Sequence, residues 1–141
     1  MIILDTDIIS VLDAQFGEAY ENVARRLADP LVDRVAVTIV SVEEQMRGWL
    51  SYIAASRTTA RQVEGYSRLN RMIRWYQEQE IIDFDPSAAA IYDELRRMRI
   101  RIGPMDLRIA AMELCCNALL VSRNLKDFRR VPNLRVEDWT R

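Results

Sequence analysis

The chain has 141 residues, half of them hydrophobic: enough for one domain with a sizeable core, and too many for a disordered chain. Its formal net charge is −1, so bulk charge draws it toward neither nucleic acid nor membrane. It has no histidine, which excludes Ser-His-Asp and Cys-His catalysis and makes zinc sites poor candidates.

Met1–Leu4 reads as a short buried strand with no basic leader before it, so no secretory signal is expected and a cytoplasmic location is. Asp5-Thr6-Asp7 follows and can cap a helix from Ile8 to Asp13. A second helix is expected from Glu18 to Ala28, ended by Asp29-Pro30. Val35–Val40 is β-branched and apolar, a buried strand, after which Ser41 starts a helix with Val42, Met46, Trp49 and Ile53 on its core face. A long helix from Thr58 to Gln79 carries the stripe Val63, Tyr66, Leu69, Ile73 and Tyr76. Ile81–Phe84 is a strand, and Asp85-Pro86 opens a helix from Ser87 to Met98. Gly103-Pro104 starts another, from Met105 to Asn117. Cys115 and Cys116 are adjacent and cannot form an ordinary disulfide. Ala118–Ser122 is a strand, and Leu134–Val136 a last short one. Alternating strands and helices without hairpin signals predict a single α/β domain over residues 1–141. Its sheet should be mainly parallel, with helices on both faces. No segment is long and apolar enough for a membrane span.

In such sheets ligands bind at the carboxyl ends of strands. Asp5 stands there, and so do Asn124 and Asp127. Glu44 and Asp106 lie in the first turns of helices that can reach the same edge. Gathered carboxylates repel one another, so such a cluster points to a cation that fills it. Each acid also has a structural reading. Asp5 and Asp7 can be helix caps. Ser41 and Glu44 match a capping box. Asp106 suits the helix dipole, and Asp127 can cap a turn. On a helical wheel Glu43, rather than Glu44, lies nearer the core face.

Four segments resemble the motifs of PIN-domain nucleases, above all the VapC-type toxins of type II toxin–antitoxin systems. They are Ile3-Leu4-Asp5-Thr6-Asp7, Val40–Gly48, Ile102–Ala111 and Leu120–Phe128; the tail Val131–Trp139 is similar as well. The acid four residues before a glycine in the second motif is Glu44, not Glu43. The resemblance implies a PIN-like fold and a metal-dependent endoribonuclease using Mg²⁺ or Mn²⁺. It also implies a homodimer and a cognate antitoxin protein that neutralises it. Asp5, Glu44 and Asp106 match the family's acidic triad. Asp7 stands where the family usually has Asn. Asn124 stands where some members have a fourth acid, so Asn124 or Asp127 completes the ligand set and one or two ions remain open.

On this reading the acids hold the ion, and a water attacks phosphorus in line. Thr6 and Ser122 orient the ligands, while Arg47, Arg108 and Arg123 can contact phosphate. Lys126 is the only lysine among the basic residues, and Arg forks onto phosphate; an Arg-biased composition explains the same count. Two alternatives stand beside it. One is a haloacid-dehalogenase-like phosphatase with Asp5 as nucleophile and Lys126 steadying the phosphate. The other is a non-catalytic RNA- or protein-binding module of the same fold. Trp49, Tyr66 and Trp75 could stack on bases or simply pack.

Overall fold

Short apolar runs that bury both faces are what the centre of a parallel sheet needs, and the computed structural model, which describes residues 1–141, builds a five-stranded sheet around three of them. The strands are β1 (Ile2–Leu4), β2 (Val35–Thr38), β3 (Glu80–Ile82), β4 (Leu119–Val121) and β5 (Val136–Glu137). Their order is β3-β2-β1-β4-β5, and every neighbouring pair is parallel. β1 is central, with Ile2 opposite Val35 on one side and Leu119 on the other.

Seven helices connect the strands: α1 (Thr6–Ala14), α2 (Glu18–Leu27), α3 (Ile39–Ala55), α4 (Thr59–Gln77), α5 (Pro86–Arg97), α6 (Pro104–Cys116) and α7 (Leu125–Phe128). Alternation along β1 divides the core between two layers. Ile3 packs with Leu95, Ile109, Met112 and Phe128. Ile2 and Leu4 pack with Ile8, Val23, Met72 and Tyr76 on the opposite face. No helix is long and apolar enough to cross a membrane.

Two expectations need correction, and one element is additional. The helix after β2 begins at Ile39, not Ser41, because the Thr38 side chain accepts from Ser41 N and caps it. The stripe on α4 is only partly its buried face: Tyr76 is buried and Leu69 packs against the core, but the other three residues face out. Val63, Tyr66 and Ile73 are 64%, 60% and 41% exposed, while Gly65, Met72 and Tyr76 turn inward. The reason is that α4 packs mainly on α3 and so needs only one narrow contact line. Finally, α7 was not foreseen, since four residues are too few to show a period.

Candidate active site

Strand ends and helix starts meet at the carboxyl edge of β1, β2 and β4. Asp5 leaves β1 with extended backbone and caps α1, its Oδ1 accepting from Thr6 N at 2.8 Å. Its Oδ2 accepts from Ser122 Oγ at 2.7 Å, just past β4. Ser122 Oγ in turn accepts from Asn124 N at 3.0 Å. The Asn124 amide nitrogen donates to Asp106 at 3.2 Å and to Asp127 at 3.1 Å. On the other side of Asp5, Thr6 Oγ1 lies 3.1 Å from Glu44 Oε1 and 2.9 Å from Ser41 Oγ. A hydroxyl has one proton and a carboxylate only accepts. Thr6 therefore donates to Glu44, and Ser41 donates to Thr6.

One hydrogen-bonded chain thus joins Glu44, Thr6, Asp5, Ser122, Asn124, Asp106 and Asp127. It brings together Asp5, Glu44, Asp106 and Asp127, while Asp7 lies outside it on Arg123 N. Glu43 turns away onto Arg47, 2.7 Å distant on the surface of α3. The capping-box reading of Glu44 fails, because Thr38 is the cap and Glu44 reaches Thr6. Asp106 sits in the first turn of α6, where its charge suits the helix dipole, and also accepts from Asn124.

No Arg or Lys stands within 4 Å of Asp5, Glu44, Asp106 or Asp127, although seven ion pairs form elsewhere. The consequence is electrostatic. Burial, with Asp7 next, pushes Asp5 up from 3.8 to about 7, against the hydrogen bonds from Ser122 and Thr6. Burial also raises Glu44, with Asp106 and Glu43 adding to it and the Thr6 hydrogen bond opposing. Burial and Asp127 raise Asp106. Asp7 is raised mainly by burial; its Oδ2 accepts from Arg123 N, while Oδ1 is buried without a partner.

The donor set is all oxygen, which suits a hard divalent cation such as Mg²⁺. No three acids stand close enough to grip one ion directly. The residues fit Mg²⁺ as an open site whose coordination water completes, as that ion favours. Asn124 now aims N–H at two carboxylates, so ligation through its oxygen requires the amide to turn.

Sequence reasoning missed Ser41, a fully buried hydroxyl that steadies Thr6. Its signal was a polar residue directly after an apolar strand, which was spent on the helix start. Of the arginines named for phosphate contact, Arg47 is paired with Glu43, and Arg108 lies over the Tyr92 ring at 5.3 Å. Arg123 is exposed and has no carboxylate partner within 4 Å.

Carboxylates fixed by hydroxyls at the edge of a parallel sheet, with no basic side chain among them, describe the PIN-type nucleases. No family model matches the chain. It is 32% identical over 111 residues to the tRNA(fMet)-specific endonuclease VapC of Salmonella typhimurium, covering 75% of this chain and 76% of that protein. It is 44% identical over 64 residues to ribonuclease VapC2 of Rickettsia felis, an alignment spanning 48% of that protein's length. The structure of VapBC2 from Rickettsia felis, bound to a promoter DNA fragment, superposes with a TM-score of 0.72. That match is 30% identical in sequence and covers 99% of both chains. The chain belongs to the VapC family of ribonucleases, whose reaction is hydrolysis of RNA.

Proposed function

We propose that this protein is the toxin of a toxin–antitoxin pair, a Mg²⁺- or Mn²⁺-dependent endoribonuclease acting through Asp5, Glu44 and Asp106. The observation that supports it best is the single network of raised-pKa carboxylates with no basic neighbour. Asp5, Glu44 and Asp106 would hold the ion, with Asn124 or Asp127 beside them. When bound, the ion supplies neutralisation of the phosphate charge and a more acidic water. Thr6 and Ser122 fix the carboxylates in place. With no histidine in the chain, a carboxylate takes the proton of the attacking water.

The phosphatase alternative asks Asp5 to attack phosphorus, yet both its oxygens already accept hydrogen bonds. The nuclease reading also fits the family. Because the Rickettsia felis neighbour is a VapBC complex, a small antitoxin is proposed as partner here too. Coexpression of the antitoxin should abolish the growth inhibition caused by this chain.

Asp106→Asn tests the site. Two like charges about 4 Å apart repel by roughly 4 kcal/mol at an effective dielectric of 20, before relaxation and protonation reduce it. Removing one charge at constant shape should stabilise the metal-free protein by ~1 kcal/mol, abolish RNA cleavage, and weaken the stability gained on adding Mg²⁺. A helix-dipole role alone predicts the opposite sign, a loss of about 0.3–1 kcal/mol with no response to Mg²⁺. Chemical denaturation in EDTA and in Mg²⁺ separates the two. Undiminished RNA cleavage in excess EDTA would refute the metal mechanism.

A further inference from the structure

Arg123 sits between the two residues that tie the acids together, Ser122 on Asp5 and Asn124 on Asp106. Its own backbone N–H is fixed on Asp7 at 3.1 Å. Its side chain enters a cleft of about 540 Å³ on the β5 side of the acids, a volume within the usual range for ligand sites. Arg26, Arg129 and Arg141 line the same cleft, with Glu137 and Asp138 as its acids. Four positive and two negative side chains leave it two charges positive in a chain whose formal net charge is −1.

The four guanidinium groups are not equivalent. Arg26 is engaged, 3.0 Å from Glu137 and over the Trp139 ring at 4.6 Å. Arg141 lies 3.7 Å from Asp138. Arg123 and Arg129 have no carboxylate within 4 Å, and neither side chain donates a hydrogen bond within the protein. Both are exposed and reach the cleft from the two ends of the short helix α7. Uncommitted guanidinium forks beside a row of acids form a boundary between opposite charges. A polyanion binds beside such acids more tightly when its neighbouring phosphates find positive charge close by.

We propose that this cleft binds the backbone phosphates of the RNA strand next to the scissile bond, with Arg123 and Arg129 as the two guanidinium forks that grip them. The proposal rests on the ribonuclease reading above and adds the direction in which the strand leaves the acids. These arginines bind substrate and take no part in bond cleavage. They act equally in the ground state and the transition state, so their loss raises KM and spares kcat.

The test compares the full chain with Arg123→Ala/Arg129→Ala, binding a labelled single-stranded RNA in EDTA between about 50 and 200 mM salt. Each phosphate contact on a single strand contributes about 0.7 to the slope of log affinity against log salt, so the double variant should lose about 1.4 from that slope. Arg123→Lys/Arg129→Lys should keep most of the slope and lose part of the affinity, because an ammonium cannot fork. With Mg²⁺ present, the alanine variant should show a raised KM at unchanged kcat. Thermal midpoints near the parent's confirm that the variants fold, as expected for exposed side chains. An unchanged slope and affinity in the alanine variant overturns the proposal, and so does a fall in kcat at constant KM. If the parent cuts RNA and the slope does not move, the cleft alone is wrong. If the parent cuts no RNA, the ribonuclease reading falls, and the salt slope still decides whether the cleft holds phosphate.

Discussion

Asp5 caps α1 with one oxygen and accepts from Ser122 with the other, and it is only 5% exposed. Its carboxyl is pushed from 3.8 to about 7, first by burial and then by Asp7. Between those two values the folded protein holds a proton that the unfolded chain has released. Stability of the metal-free protein must therefore fall as pH rises from about 4 to 7, by at most about 4 kcal/mol from this residue. Asp5→Asn should flatten that slope in EDTA, measured as denaturation midpoints at pH 5 and pH 8. A parent and variant with parallel pH profiles would show that Asp5 is ionised in the fold at no cost. Asp5 was legible from its place after a strand and Asp106 from its first helical turn, whereas Glu44 lies past the first turn of α3, which starts at Ile39. Choosing Glu44 over Glu43 was not legible from the helical wheel. The wheel reports which face of α3 meets the core, whereas Glu44 points sideways to Thr6 at the end of β1. That direction exists only once the two strands are paired.

The helices α3 and α4 meet at Gly65. A Cβ there would lie 2.6 Å from Ile53 Cγ1 and 2.9 Å from Tyr52 Cδ1, neither of them the free end of a flexible chain. Gly65→Ala should force the helices apart and destabilise by about 1–3 kcal/mol, less the gain in helix propensity of up to about 1 kcal/mol. A Cβ on Gly48, inside α3, would meet nothing within 4 Å. Gly48→Ala should therefore stabilise by about 0.5–1 kcal/mol. Thermal unfolding of both variants checks the pair, and equal shifts of the same sign would contradict this packing. Element types were readable because caps such as Thr58 and Asp85 stand where the sequence suggests. Which stripe of α4 is buried was readable only in part, at Leu69 and Tyr76. Val63, Tyr66 and Ile73 recur at helical spacing as a core face would, and only the position of α3 shows that they face outward.

At the scale of the whole molecule, those outward residues leave apolar area on the α3–α4 pair. Leu50, Val63 and Tyr66 are each at least half exposed. Single exposed apolar residues are ordinary, but three on two packed helices are candidates for an association surface. A second copy is the proposed occupant. Light scattering at micromolar concentration should give about twice the 16.5 kDa of one chain, and Tyr66→Glu should lower it. A parent that scatters as a single chain would remove the dimer.

The pairing of β1 with β4 joins residue 2 to residue 119. In synthesis β1 therefore leaves the ribosome well before β4, its partner. Until Ser122 and Asn124 emerge, Asp5 lacks its hydroxyl partner and Asp106 its amide partner. A nascent or prematurely terminated chain carries all three acids of the proposed triad without the residues that assemble them. A chain that stops before Ser122 therefore lacks the hydrogen bonds that hold Asp5 and Asp106 in place.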